Sequence, residues 1–390
     1  MNAFPGPITH LRRSAYGAAF KAAGAFGRCE MSDTIVLAGP PRSGTTILQE
    51  VLQHIPGYKT VNEPLLTRET QRRHGFTRRP WIAEHADAPV QRAFIERALT
   101  GRLGAEARWS FNATNSAACL IEHATSRKLL VKFVRLNRML PWFNRNFAIR
   151  GLCLVARHPA SVVSSMLRFG QWERDYERLL KGEATSLSLE HLPESMHDRM
   201  GPVIEAACGS QIEALTALVA IDLYFPLVHD AEQPWVLMPY ERLVMQGQAE
   251  LDRVNEALGV ETNQRMLDRL KRPSSSVKGR FVEDPARQIA KWQEQLSAEQ
   301  IGKVVKILRL AGLDHIYGDA AEPDYAALNL RQMPKYRWVD ANRLTEPVAP
   351  SLAPFGNQNQ SGRNLRQVKR LAGQIHAGNE ERPSRPGTKH

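Results

Sequence analysis

The stretch Gly39-Pro40-Pro41-Arg42-Ser43-Gly44-Thr45-Thr46 joins a short apolar, β-branched run, Thr34 to Ala38, to the start of a helical pattern. A strand, a glycine-containing loop and a helix N-terminus in that order aim backbone N–H groups and the helix dipole at one point, which binds phosphate or sulfate. The glycine spacing equals that of the nucleotide-triphosphatase loop G-x-x-x-x-G-K-[ST], but Thr45 stands at the lysine position and the cation has moved to Arg42. A triphosphatase uses that lysine on the β- and γ-phosphates and the next hydroxyl on magnesium. An arginine two residues before the glycine instead offers a forked donor where leaving-group charge develops, and it requires no metal.

A second cluster closes the apolar run Leu152 to Ala156, where Arg157-His158-Pro159 leads into a helical stretch carrying Ser164 and Ser165. An arginine at a strand's C-terminal end and a hydroxyl on the second helical turn can meet a dianion at the carboxyl edge of a sheet. Ser164 is the alternative to Ser165, and a lone histidine after a strand, His158, reads as a satisfied hydrogen-bonding group. A transfer reaction also needs a base for the acceptor proton. Glu63, in Val61-Asn62-Glu63-Pro64-Leu65, ends the expected second strand just after the nucleotide helix and suits that task, with His74 and His85 as competitors. Its other reading is a capping or salt-bridging carboxylate.

These motifs resemble the sulfotransferase family that uses 3′-phosphoadenosine-5′-phosphosulfate (PAPS), with its loop P-[KR]-[SA]-G-[TS]-[TS] and its strand-R-[DN]-P-x-x-x-x-x-S element. Val131-Lys132-Phe133-Val134-Arg135-Leu136 is similar to the V-K-x-x-R strand of carbohydrate-type members, and Tyr240-Glu241-Arg242-Leu243-Val244 to their Y-E-x-L element. The resemblance implies that Pro41, Arg42, Ser43, Gly44, Thr45 and Thr46 hold the phosphosulfate of PAPS and that Arg157 and Ser165 hold its 3′-phosphate. It also implies that Arg42, Lys132 and Glu63 are catalytic, and that Lys278 and Arg280, in a basic loop before Trp292, close over the nucleotide. His158 stands where the family has an acidic or amide residue, and the basic loop departs from the R-K-G-x-x-G-x-W-K spacing of cytosolic members. The Glu63-Pro64 dipeptide matches the carbohydrate-type pattern, which implies a carbohydrate or glycolipid-like acceptor. The alternatives are a P-loop small-molecule kinase and a basic nucleic-acid-binding protein; the second rests on charge alone and lacks aromatic interleaving.

To place these residues the chain needs a parallel sheet. Apolar runs at Thr34–Ala38, Leu129–Val134, Gly151–Ala156 and Trp235–Met238 alternate with helical patterns at Ala88–Thr100, Ala160–Phe169, Ile204–Tyr224, Gln248–Leu258 and Ser297–Ala311. The fold class expected is α/β: a three-layer α/β/α arrangement of P-loop nucleotide-binding type around a central, mainly parallel sheet. Residues 171 to 202 are expected as a helical insertion over the active-site end, where substrate selection would lie. Ser297 with Gln300 reads as a capping box.

The expected organisation is a basic N-terminal arm (1–32), a sulfotransferase domain (33–318) and a C-terminal extension (319–390), whose tail after about Pro347 is basic and disordered. That tail supplies much of the formal charge of +12. Residues 8 to 28 carry Arg12, Arg13, Lys21 and Arg28 without an acid, readable as a membrane-surface helix, a presequence or a helix packed on the domain. Four cysteines without a C-x-x-C pair imply neither zinc nor a disulfide framework. No apolar run of 18 residues is evident. A cytoplasmic protein, with peripheral membrane contact through its basic termini as an option, is expected.

Overall fold

Short apolar runs rich in leucine and valine suit strands buried on both faces. In a computed structural model, which describes residues 7–104, 107–113, 115–170, 173–181, 186–229, 235–276, 284–328 and 330, they become strands. With two further strands that are not apolar runs, β2 and β3, the strands in chain order are β1 (Thr34–Ala38), β2 (Tyr58–Asn62), β3 (Trp109–Ser110), β4 (Lys128–Phe133), β5 (Gly151–Ala156) and β6 (Val236–Pro239). They lie in the order β3-β2-β4-β1-β5-β6, all neighbours parallel except the edge pair β2 and β3.

Because successive strand residues face opposite ways, each strand feeds two cores. Val36, Ala38, Val131, Leu152 and Leu154 pack with helices Pro159–Phe169, Gln211–Tyr224 and Ala298–Ala311. Ile35, Leu37, Leu130, Cys153 and Val155 pack with helices Thr45–Leu52, Gln248–Leu258 and Gln264–Leu270. The chain is therefore a three-layer α/β/α fold with a central, mainly parallel sheet.

The expected elements recur with small shifts, and one helix divides. In place of a single helix over Ile204–Tyr224 the chain forms His197–Ala206 and Gln211–Tyr224. Between them Gly209 offers no side chain, and Ser210 is extended at φ −163°, its hydroxyl donating to Glu213 Oε2 at 2.6 Å. The capping box is present: Gln300 N–H donates to Ser297 Oγ at 3.2 Å and Ser297 N–H to Gln300 Oε1 at 2.9 Å. By length and composition Gln211–Val228 would pass for a membrane span, but most of it is buried in the core.

Inside that helix Asp222 is buried and accepts Arg138 Nε at 2.8 Å while also pairing with Arg79. Arg138 donates a further bond to Ser186 O at 2.7 Å. Burial pushes the Arg138 guanidinium down to about 9.

Of the basic segment 8–28, residues 8 to 26 fall in the helix Pro7–Phe26, with Arg28 just beyond its end, and this helix packs on the helix Ser116–Thr125. Phe20 is buried there and stacks on His123 with ring centroids 4.2 Å apart. Beneath them Lys59 of β2, fully buried, donates to Gly27 O at 2.5 Å and His123 O at 2.8 Å. Both carbonyls lie at helix C-terminal ends, where the dipole favours a cation; burial still lowers the Lys59 pKa. At the other end of the described chain Leu328 and Leu330 are buried, and the basic tail lies outside the described residues.

Lys59→Ala leaves two buried carbonyls without their donor and opens a cavity, so it is expected to cost about 2–4 kcal/mol of stability. Equilibrium denaturation measures this. A loss below about 0.5 kcal/mol would show that Lys59 does not fasten the N-terminal helix.

Candidate functional site

Parallel strands bring their carboxyl ends to one edge, and loops from β1, β2, β4, β5 and β6 meet there. The cleft they line has a volume of 1610 Å³.

The β1 loop turns through Gly39 at φ 148°, where a Cβ would lie 2.5 Å from Val155 O, and closes through Gly44 at φ 103°. A Cβ at Gly44 would meet the Tyr240 ring at 2.4 Å, so only glycine fits this left-handed position. Gly44 caps the helix Thr45–Leu52 without a side-chain acceptor, leaving first-turn amides for a ligand at the dipole's positive end. Pro41, Arg42, Gly44, Thr45 and Thr46 line the cleft. Ser43 does not: its side chain is fully buried and its N–H closes the turn on Pro40 O at 3.2 Å.

At one end of the cleft stands Lys132. On β4 it is paired between Leu37 of β1 and Asn62 of β2, on the face that carries the helix Thr45–Leu52. Its ammonium, 2% exposed, donates to Thr46 Oγ1 at 3.1 Å and lies 3.4 Å from Glu63 Oε1. Burial lowers its pKa, and the Glu63 carboxylate opposes that. Glu63 holds φ 50° and is anchored by its N–H to Lys132 O at 2.8 Å. Arg42 at φ 68° is the other non-glycine residue with positive φ among the described residues. Such strain persists only where the surroundings enforce it.

Arg42 belongs to the other end. Its Nε donates to Ser165 Oγ at 3.0 Å and its guanidinium lies 4.9 Å from the centre of the Phe169 ring. Arg157 at the end of β5 donates to Arg42 O at 3.1 Å and covers the Tyr240 ring at 4.3 Å. Burial lowers the Arg42 pKa, and the charges of Arg157 and Arg168 push the same way. None of these three arginines forms an ion pair among the described residues, and the buried Nε of Arg157 has no partner in the protein. An anion placed among them would relieve that repulsion.

His158 is structural, as expected for a lone histidine after a strand. Its Nδ1 accepts from Ala160 N–H at 3.2 Å, Nε2 faces Gly318 O at 3.1 Å, and the ring stacks on Trp292 at 4.8 Å. Burial pushes its pKa down to about 4. Its own N–H donates to Glu241 Oε1 at 2.9 Å, and Glu241, buried against Tyr317, is pushed up to about 7 by burial.

Of the expected residues, the structure therefore brings Arg42, Arg157 and Ser165 into one cluster and Glu63, Lys132 and Thr46 into another. Ser164 turns away to Gln295 Oε1 at 2.7 Å. Neither His74, tilted against Phe94, nor the exposed His85 lines the cleft. Lys278 and Arg280 lie outside the described residues. The segment 171–202 was expected over this end of the sheet; none of its described residues lines the cleft, because Leu187, Leu192, Met196 and Met200 pack into the core instead.

Sequence reasoning missed Arg168 and the helix Pro285–Gln295, which turns Gln288, Lys291 and Trp292 to the cleft, and it named Tyr240 only within the Y-E-x-L element, without a place in the cleft. The i, i+3 spacing of Ser165 with Arg168 and of Gln288 with Lys291 was the available signal. Among the described residues no group of three His, Cys, Asp or Glu side chains is placed to hold a metal ion.

No family model matches this chain, and no curated protein matches it in sequence. Solved structures resemble it weakly. The sulfotransferase domain from the Synechococcus PCC 7002 olefin synthase has a TM-score of 0.39 at 16% identity, covering 71% of this chain and 94% of that one. Mouse sulfotransferase SULT7A1 complexed with PAP has a TM-score of 0.39 at 13% identity, covering 80% of this chain and 92% of that one.

Glu241 carries a pH prediction. Its folded pKa of about 7 exceeds the ordinary 4.5, so the folded state binds the extra proton between those values and loses stability as pH rises through them. Glu241→Gln can still accept from His158 N–H and removes the ionisation. Relative to wild type, the variant is expected to be on the order of 1–3 kcal/mol more stable at pH 8 than at pH 5. Melting temperatures of both proteins across that range check it; a difference independent of pH would show that Glu241 is ionised throughout.

Proposed function

We propose that the chain is a sulfotransferase, which moves a sulfuryl group from PAPS to a hydroxyl or amine of a carbohydrate or glycolipid-like acceptor. The observation that carries this reading is the placement of two anion sites in one cleft. The helix N-terminus with Lys132 forms one, and the Arg42, Arg157 and Arg168 cluster around Ser165 forms the other. A nucleotide charged at both its 5′ and its 3′ position suits such a cleft. The residues fit the group: the unpartnered Arg157 Nε and the crowded guanidiniums want an anion where the 3′-phosphate would lie.

PAPS, when bound, supplies a sulfuryl group activated on a phosphate that takes up charge as the group departs. The first-turn amides at Thr45 and Thr46 and the Lys132 ammonium stand ready for that charge. Arg42, turned to Ser165, is assigned to the 3′-phosphate end, which leaves Lys132 as the cation at the reacting end. Glu63 accepts the acceptor's proton, and Lys132 at 3.4 Å fixes the carboxylate's position. The bond from Glu63 N–H to Lys132 O ties both groups to neighbouring strands, so their spacing is set by the sheet.

Calorimetry with adenosine 3′,5′-bisphosphate and adenosine 5′-phosphate tests the nucleotide assignment. Arg157→Ala also unfastens the β1 loop at Arg42 O and so weakens both ligands, but the bisphosphate is expected to lose roughly tenfold or more beyond the monophosphate. Equal losses would mean that Arg157 does not read the 3′ group. Binding of ATP with magnesium, and not of the bisphosphate, would favour a kinase.

Glu63→Gln tests the base. With an identified acceptor the chemical step should slow by roughly 10²–10⁴-fold while bisphosphate affinity barely changes, and the melting temperature should fall because the buried Lys132 loses its carboxylate partner. Near-normal turnover in the folded variant would remove Glu63 from the chemistry.

A further inference from the structure

Among the described residues, eleven lysines and arginines line the cleft against one carboxylate, Glu63. The nucleotide reading uses those near Ser165 together with Lys132. A second group of cations surrounds Glu63 instead. Asn62 N–H donates to Arg108 O at 2.8 Å, so Arg108 is held beside the end of β2. Its charge acts on Lys132, and its side chain is exposed toward solvent. Arg135, two residues past β4, reaches Leu65 O at 3.5 Å. Arg78 and Arg79 also line the cleft, the second anchored on Asp222.

The aromatic residues of the cleft are distributed the other way. Phe169 lies under Arg42, Tyr240 lies under Arg157 and Trp292 stacks on His158, so all three serve the nucleotide end. Among the described residues, the lining around Glu63 offers no aromatic face on which a neutral sugar, a phenol or a steroid ring would stack. Guanidiniums there present planar, forked donors that match carboxylate, sulfate or phosphate. A cleft of one charge sign with low-dielectric walls also concentrates ligands of the opposite sign.

We infer that the acceptor is itself an anion: a hydroxyl-bearing molecule that already carries a carboxylate, sulfate or phosphate group, which the Arg108 and Arg135 wall binds beside Glu63. This rests on the sulfuryl-transfer reading and narrows its substrate class.

The test uses the full chain saturated with adenosine 3′,5′-bisphosphate, so that the nucleotide end is filled. Three tetrasaccharides of one backbone are titrated into it: tetragalacturonate, its carboxyl-reduced neutral form, and that neutral form sulfated on its primary hydroxyls. At least one charged form is expected to bind roughly tenfold or more tighter than the neutral one, and which of them does so distinguishes carboxylate from sulfate recognition. The preference should shrink as salt rises. Arg108→Gln should cut it about fivefold and Arg108→Glu further, with bisphosphate affinity and melting temperature unchanged. Equal affinity for charged and neutral forms, binding of none of the three, or a preference untouched in both Arg108 variants overturns the inference. Failure of the wild-type chain to bind the bisphosphate overturns the sulfuryl-transfer reading first, and this inference with it.

Discussion

Three guanidiniums, from Arg42, Arg157 and Arg168, are held together at the end of β5 without an ion pair among the described residues. Like charges at such range repel, and burial adds to the cost at Arg42. The surroundings supply what a counterion would otherwise give. Phe169 and Tyr240 offer the negative faces of their rings, Ser165 Oγ and Arg42 O accept hydrogen bonds, and the β1 loop is held in left-handed backbone so that its carbonyl can do so. The rigid sheet beneath keeps these groups from relaxing apart. Much of the fold around the cleft therefore holds positive charge in place ahead of its ligand, which is how a preorganised anion site avoids reorganising when it binds.

The sheet was legible in the sequence because a strand buried on both faces has almost no compositional freedom. β1, β5 and β6 are apolar along nearly all of their length, and β4 is interrupted only by Lys128 and Lys132. β3 was not legible: two residues at an edge, Trp109 and Ser110, bury little and carry no pattern. The division near Gly209 was legible only afterwards, since glycine inside a helical pattern often survives and here Ser210 with Glu213 decides the break.

For the site, the two loops that leave β1 and β5 announced themselves through turn chemistry and through polar residues placed directly after apolar runs. Side-chain direction did not. That Arg42 swings to Ser165, that Ser43 turns inward while its neighbours line the cleft, and that Ser164 faces Gln295 all depend on backbone angles and packing partners. The helix Pro285–Gln295 was missed for a related reason: its cleft-facing residues, Gln288 and Lys291, look like any solvated helical face until Trp292, packed on His158, fixes its rotation.

Asp222 lies within the core helix Gln211–Tyr224 and answers two arginines that arrive from distant stretches of chain, Arg79 from the lining of the cleft and Arg138 from just beyond β4. Wall and core thus share one carboxylate, and neither can be changed without the other. The stretch around Arg79 is not a portable module: transplanting it from a relative without a matching acid in the helix would strand a buried charge. New ligand preferences would be acquired at positions such as Arg108, which line the cleft and take no part in this anchor. The protein would evolve by repainting the wall of its cleft while the masonry behind it stays fixed.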